Sequence, residues 1–225
     1  MKVLSIISQK GGVGKTTLAT ALGVCAARAG LSVVLLDLDP QASASFWSDS
    51  RQANPDAADD VAVTALPSAR LAHVIGAARN GAADLVIIDT PPFAKDIAFE
   101  AASVADMVLI PTKPAVLDIV AMSRTAELLR AFNKSASVVL TFCPPVGREI
   151  EDAEEAARQM QMDVAPVRIG NRIAYSRAQQ HGQVAAELEP TGKAASEIQH
   201  LYDYTCLHLW GDENGEERIR AAGGR

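Results

Sequence analysis

Gln9-Lys10-Gly11-Gly12-Val13-Gly14-Lys15-Thr16-Thr17 is the stretch on which the reading of this chain turns. It follows a short apolar run, Val3 to Ser8, and opens an alanine-rich helical pattern from about Thr16 to Arg28. Strand, glycine loop and helix in that order form the context of a phosphate-binding loop. Glycines let the backbone approach an anion closely, so that successive N–H groups can cradle phosphate oxygens. Lys15 is placed to reach the terminal phosphates, the Thr16 hydroxyl to ligate Mg²⁺, and Thr17 to donate to the α-phosphate. The usual pattern has glycine where this chain has Gln9, and a second lysine, Lys10, stands just ahead of the glycines.

The rest of the chain reads outward from that loop. Ser32 to Leu38 is a buried strand that runs into Asp37-Leu38-Asp39-Pro40-Gln41. Its acids fall at the carboxyl end, where open α/β sheets bind ligands. Leu85-Val86-Ile87-Ile88-Asp89 is a second buried strand delivering a carboxylate to the same edge. Further strands are expected at Val61–Leu66, Met107–Thr112 (ended by Pro111 and Pro114), Ala136–Phe142 and Val164–Ile169. Helices are expected at Ala42–Arg51, Ser68–Arg79, Ala115–Phe132, Glu149–Met160, Asn171–His181 and Lys193–Leu209. Gln52 to Asp60 reads as a polar connection of no evident function. This alternation predicts an α/β fold, a doubly wound, mostly parallel sheet flanked by helices. One domain is expected over residues 1–211, with a charged, glycine-rich tail over 212–225.

Composition narrows the classes. Aromatics make up only 4% of the chain, as suits helices packed on a parallel sheet. The net charge of −6 means that any nucleic-acid contact must be a local basic patch. Cys25, Cys143 and Cys206 are odd in number and have no ligand spacing, so reduced thiols in a cytoplasmic protein are expected. The four histidines show no metal-ligand pairing. The chain opens directly on a core strand, so neither a signal peptide nor a membrane span is expected.

Nucleoside triphosphate hydrolysis needs phosphates held, a metal to neutralise charge and a water set in line. The backbone of Gly11, Gly12, Val13 and Gly14 with Lys15 and Thr17 can supply the first need. Thr16, Asp39 and Asp89 form the oxygen set for Mg²⁺, Asp89 acting through a metal-bound water. Asp39 lies nearer the loop than Asp37 and is the candidate to orient the attacking water. Asp37 reads as a buried acid hydrogen-bonded to the phosphate loop. Lys10 has two readings, a solvated surface lysine or a cation serving a neighbouring subunit.

The form Lys-Gly-Gly-Val-Gly-Lys-Thr-Thr resembles the deviant Walker loop of the ParA/MinD family of dimerising ATPases. The resemblance covers most of the chain. Asp37 to Gln41 matches the family's first switch, Ile88-Asp89-Thr90-Pro91-Pro92 its second, and Ile110-Pro111-Thr112-Lys113-Pro114 a strand end. Asn171 to Arg177 with Gly182 looks like the small plasmid ParA proteins, the ParF-like group. Thr141-Phe142-Cys143-Pro144-Pro145 departs from the Asn- or Arg-bearing pattern of many relatives, so a preference for ATP rests on family alone.

The resemblance implies ATP and Mg²⁺ as cofactors, an ATP-dependent homodimer, and a Lys10 that crosses to the partner's phosphates as a catalytic cation beside Lys15 and Asp39. It further implies plasmid or chromosome segregation with a ParB-type partner, in a cytoplasmic, nucleoid-associated protein. Non-specific DNA binding is expected from Arg168, Arg172 and Arg177, since Val164 to Ala186 holds no acidic residue; a merely solvated helix face is the alternative. On a helix Arg172 and Arg177 would stand roughly 140° apart, a broad flank. Relatives that position a carboxysome or chemosensory cluster, or that process T-DNA, are not separated from this by sequence. A MinD-like membrane ATPase would need a basic amphipathic carboxyl-terminal helix, and this terminus is acidic and glycine-rich. Cys143 alone would remain for an iron–sulfur cluster at a dimer axis, which excludes the nitrogenase iron-protein type.

Overall fold

Parallel strands buried on both faces need unbroken apolar runs, and the runs of this chain form the centre of one twisted sheet. The computed structural model describes residues 1–58, 60–130, 132, 134–211 and 216; apart from Glu216, the tail expected over 212–225 lies outside the described residues. Among those residues the strands are β1 (Lys2–Ile6), β2 (Val33–Asp37), β3 (Val61–Ala65), β4 (Leu85–Asp89), β5 (Met107–Thr112), β6 (Ser135–Cys143) and β7 (Asp163–Gly170). They pair, all parallel, in the spatial order β3-β2-β4-β1-β5-β6-β7.

Side-chain alternation along β1 sends Leu4 and Ile6 to one face and Val3 and Ile7 to the other. The first face packs against α1 (Lys15–Arg28), α2 (Ser43–Gln52) and α9 (Lys193–Trp210), through residues such as Leu18, Leu22, Trp47 and Leu201. The second packs against α3 (Leu71–Asn80), α4 (Lys95–Val104), α5 (Val116–Arg130) and α6 (Glu149–Gln159). Two short helices, α7 (Ile173–Gln179) and α8 (Ala185–Leu188), join β7 to α9.

The chain winds from β1 toward β3 and then crosses over β1 to build β5, β6 and β7. The topological switch point therefore lies beside β1, directly beneath the glycine loop, where doubly wound sheets hold their ligands. Three details differ from expectation. Helix α4 was not foreseen, because its Ala-rich stretch lacks a clear apolar stripe between the Asp89 motif and Met107. Pro111 lies within β5 rather than ending it. Leu109 offers its carbonyl to the Ile7 N–H at 3.0 Å, so Pro111 faces the β1 side as well, where β1 has already finished. A missing N–H costs the ladder nothing there. Finally, Arg172 stands at the cap of α7 in extended conformation rather than inside a helix shared with Arg177.

Candidate functional site

Gly14 is the cap of α1 and adopts φ 88°, a left-handed conformation that glycine takes without strain. The turn frees the first N–H groups of α1 to point outward; the helix's own bonding begins with Leu18 N–H donating to Gly14 C=O at 2.9 Å. Gly11 and Gly12 are exposed, whereas the Val13 side chain is sealed in the core. Val13 also accepts the Thr141 hydroxyl through its carbonyl at 2.9 Å, pinning the loop to β6. The result is a backbone cradle with a helix amino terminus at its base, which favours an anion.

Lys15 is 7% exposed, and its ammonium donates to the Lys10 carbonyl at 3.1 Å. Burial holds its pKa below the ordinary lysine value, against the opposing pull of the Asp89 and Asp39 carboxylates. Asp89 is fully buried at the end of β4, and its Oδ2 accepts the Thr16 hydroxyl at 2.6 Å. Its Oδ1 is buried with no hydrogen-bond partner. Burial above all, and then the Asp37 charge, push this carboxyl up to about 7, while the Thr16 bond pulls the other way. An orphaned carboxylate oxygen beside a threonine hydroxyl is an unfinished coordination site. Among the described residues no group of three or more His, Cys, Asp or Glu is placed to hold a metal ion, so the donors are too few for an all-protein cage. They fit a Mg²⁺ ion, which keeps several of its waters.

The two switch acids separate as the strand end predicts, though Asp37 binds elsewhere than expected. Its buried carboxylate turns away from the phosphate loop. Oδ2 accepts the Ala44 and Ser45 N–H groups, both at 3.0 Å, and Oδ1 accepts the Asp39 N–H at 3.1 Å. It thereby satisfies orphan donors at the start of α2, whose cap residue Ala42 has no side chain to do so. Asp39 is half-buried, accepts Gln41 N–H at 2.9 Å, and lines a cavity of about 680 Å³ with Gly11, Lys15 and Thr16. Lys10 is half-buried beside the loop, with its N–H on the Ser8 hydroxyl at 3.4 Å.

Of the three arginines expected to meet DNA, two are engaged. Arg168 pairs with Glu154 at 2.8 Å and with Glu151 at 3.6 Å. Arg172 is forked on Glu197, its Nε at 2.8 Å. Arg177 is exposed on α7. Sequence reasoning could not see these pairings, because Glu197 lies in α9 and Glu154 in α6.

It also passed over Phe142 and Lys113. Phe142, next to last in β6, adopts φ 52°, a rare conformation for a bulky residue, and its ring would lie 3.6 Å from a Cβ placed on Gly14. The Lys113 ammonium sits 4.3 Å over that ring. Phe142 borders both the phosphate cavity and a second one of about 470 Å³ shared with Thr17, Gly170, Asn171 and Ile173. The sequence signals were that Thr141-Phe142-Cys143 departs from the family pattern and that Lys113 falls in the strand end matched at Ile110 to Pro114.

Residues 4–185 match the family described as the CobQ/CobB/MinD/ParA nucleotide binding domain. The chain is 36% identical over 165 residues to the maintenance of carboxysome distribution protein A of Gloeobacter kilaueensis, covering 71% of this chain and 70% of that one. It is 30% identical over 192 residues to Protein ParA of Rhizobium radiobacter, covering 81% of this chain and 84% of that one. Its fold superposes on the cell division ATPase MinD of Pyrococcus furiosus with a TM-score of 0.76 at 21% identity, over 91% and 98% of the two chains. The chain belongs to the ParA/MinD family of P-loop ATPases.

Proposed function

We propose that this member of the ParA/MinD family is a Mg²⁺-dependent ATPase, working as one domain over residues 1–211, that dimerises on ATP and segregates DNA. The observation that carries the ATPase reading is the buried, partnerless Oδ1 of Asp89 beside Thr16, under a loop whose lysine points back onto it. Mg²⁺ held through Thr16 and Asp89, with Asp39 nearby, would neutralise phosphate charge. The Gly11 to Gly14 backbone and Lys15 hold the phosphates, and Thr17 adds a donor. Asp39 orients a water whose oxygen bonds to the γ-phosphorus as the bond to the bridging oxygen breaks, releasing ADP and phosphate. The base is read by the cavity beside Phe142, whose ring offers a stacking face.

Lys10 supports the dimer reading. Beside its own loop it contributes a backbone carbonyl to Lys15. On the family pattern its side chain crosses to the partner's phosphates, a cation that arrives only on association. DNA binding without sequence preference then rests on Arg177, with Arg168 held in an ion pair toward α6 and Arg172 in one toward α9. The DNA cargo is presented by a ParB-type protein, and the whole operates in the cytoplasm on the nucleoid. No helix among the described residues is long and apolar enough to cross a membrane. The relative named for carboxysome distribution favours a second reading, the same engine positioning a protein cargo.

Mixing Lys10→Ala with Lys15→Ala tests the core of this. Each alone should hydrolyse poorly. In a mixed dimer one chain keeps Lys15 and its ATP while the other supplies Lys10, so partial recovery on mixing is expected. Hydrolysis by a strictly monomeric wild-type protein at every concentration would refute the trans lysine. A matching rate in the presence and absence of duplex DNA and a ParB-type partner would favour the protein-cargo reading.

A further inference from the structure

Helix α2 and the turn that leaves it hold the turn after α7 by three side chains. Trp47 Nε1 donates to the Gln183 carbonyl at 3.1 Å, Arg51 Nη1 to the Gly182 carbonyl at 2.9 Å, and Asn54 Nδ2 to the His181 carbonyl at 2.8 Å. Trp47 and Arg51, four apart, share one face of α2, and Asn54 lies just past its end, so the helix and its exit turn together grip three consecutive carbonyls. The seam is close-packed as well as hydrogen-bonded. A Cβ on Gly182, whose φ is 65°, would fall 2.1 Å from the Arg51 backbone nitrogen.

The other end of α2 belongs to the nucleotide site. The Asp37 carboxylate joins the Asp39 N–H to the first amides of α2, so the Asp39 loop and the helix share one anchor. The phosphate cavity lies between them, with Phe46 and Trp47 on one wall and Ser176, Gln179 and Gln180 of the α7 segment on the other. Trp47 thus lines the cavity with one edge and bonds the α7 turn with another.

We propose that α2 and the α7 turn form a single clamp, through which any displacement of the Asp39 loop by nucleotide is delivered to α7. Close-packed interfaces move as bodies rather than deform continuously, so a shift at one end of α2 must appear at the other. The clamp rests on the nucleotide reading of the cavity and is independent of whether α7 meets DNA.

Hydrogen exchange on the full chain, with ADP and with a non-hydrolysable ATP analogue plus Mg²⁺, tests it. Amides of 37–47 and of 173–184 should respond to the analogue together. Trp47→Phe removes one donor and keeps a ring in place; it should raise exchange in the 173–184 turn about fivefold, one hydrogen bond's worth. It should also cut that segment's response to the analogue at least twofold while 37–47 still responds. Gly182→Ala wedges the seam without deleting a polar group and should uncouple it further; if it does not fold, Trp47→Phe alone decides. A wild-type 173–184 segment that stays silent while 37–47 responds overturns the clamp, as does an equal response in wild type and variant. Equilibrium dialysis distinguishes a third failure, in which no analogue binds and the nucleotide reading falls together with the clamp.

Discussion

Two buried charged clusters sit on the same face of the sheet, and they are built to opposite rules. Around Arg51 everything is closed. Its guanidinium forks on Glu187 and Asp60, donates to the Gly182 carbonyl, and lies 5.1 Å over the Trp47 ring. Around Lys15 things are left open: one ammonium contact to a carbonyl, and a carboxylate oxygen with no partner. A closed buried network specifies structure, whereas an open one carries a standing cost that only a ligand removes. The contrast separates scaffold from site without reference to any relative.

The contrast can be broken at either cluster. The largest effect is expected at the open one. Lys15→Ala should weaken ATP binding about a thousandfold, yet leave the melting temperature of the nucleotide-free protein unchanged or slightly higher. Asp39→Ala should retain binding and stall hydrolysis; equal loss of affinity in both variants would show that the two residues do not divide the work. At the closed cluster, Arg51→Met should cost ~3 kcal/mol in urea unfolding, because half-buried Asp60 loses the Arg51 cation and Glu187 is left with Arg28 at 3.4 Å. A loss no larger than that of an exposed ion pair would mean the knot is open in solution.

Glu187 gives the same contrast a pH axis. Burial pushes its carboxyl up, but hydrogen bonds from Arg51 and from the Val184 N–H outweigh this and hold it below the ordinary glutamate value. Its folded pKa is depressed, so its contribution is present above about pH 4.5 and fades as pH falls through the folded value. Glu187→Gln should therefore cost ~1–2 kcal/mol at pH 7, with the gap to wild type narrowing below pH 4.5 in denaturant melts. Asp89→Asn should act in the other direction. Removing a buried, half-paired charge should raise the nucleotide-free melting temperature by about 3 °C, while abolishing the extra stabilisation that Mg²⁺ adds to nucleotide. The smallest effect concerns DNA. Arg177→Glu should weaken salt-sensitive duplex binding a few-fold, and Arg168→Glu should matter less because its charge is already taken by Glu154. A larger loss from Arg168→Glu would show that the ion pair opens on DNA.

The open cluster was legible in the sequence and the closed one was not. Gly11 to Thr17 are contiguous, and Asp89 announces itself as the acid after four apolar residues, so local pattern suffices. The Arg51 knot joins residues 9, 131 and 136 positions away, and Gln52 to Asp60 looked like a featureless link. Asp37 shows the boundary between the two cases. Its burial could be read from the strand, but its partners depend on how the chain turns after Pro40, and they proved to be the amides of α2. Phe142 marks a further limit, since a left-handed aromatic leaves no periodicity to detect.

Pro111 also fixes a length. The last rung between β1 and β5 is Ile7 on Leu109, and the next β5 residue facing that way has no amide hydrogen to lend. Pro111 keeps its carbonyl but offers the Ile7 carbonyl no donor, so extending β1 toward the glycine loop would gain one hydrogen bond fewer than an ordinary parallel step. Pro111→Ala would supply that donor and favour one more rung of pairing, at the expense of the slack from Ser8 to Gly14.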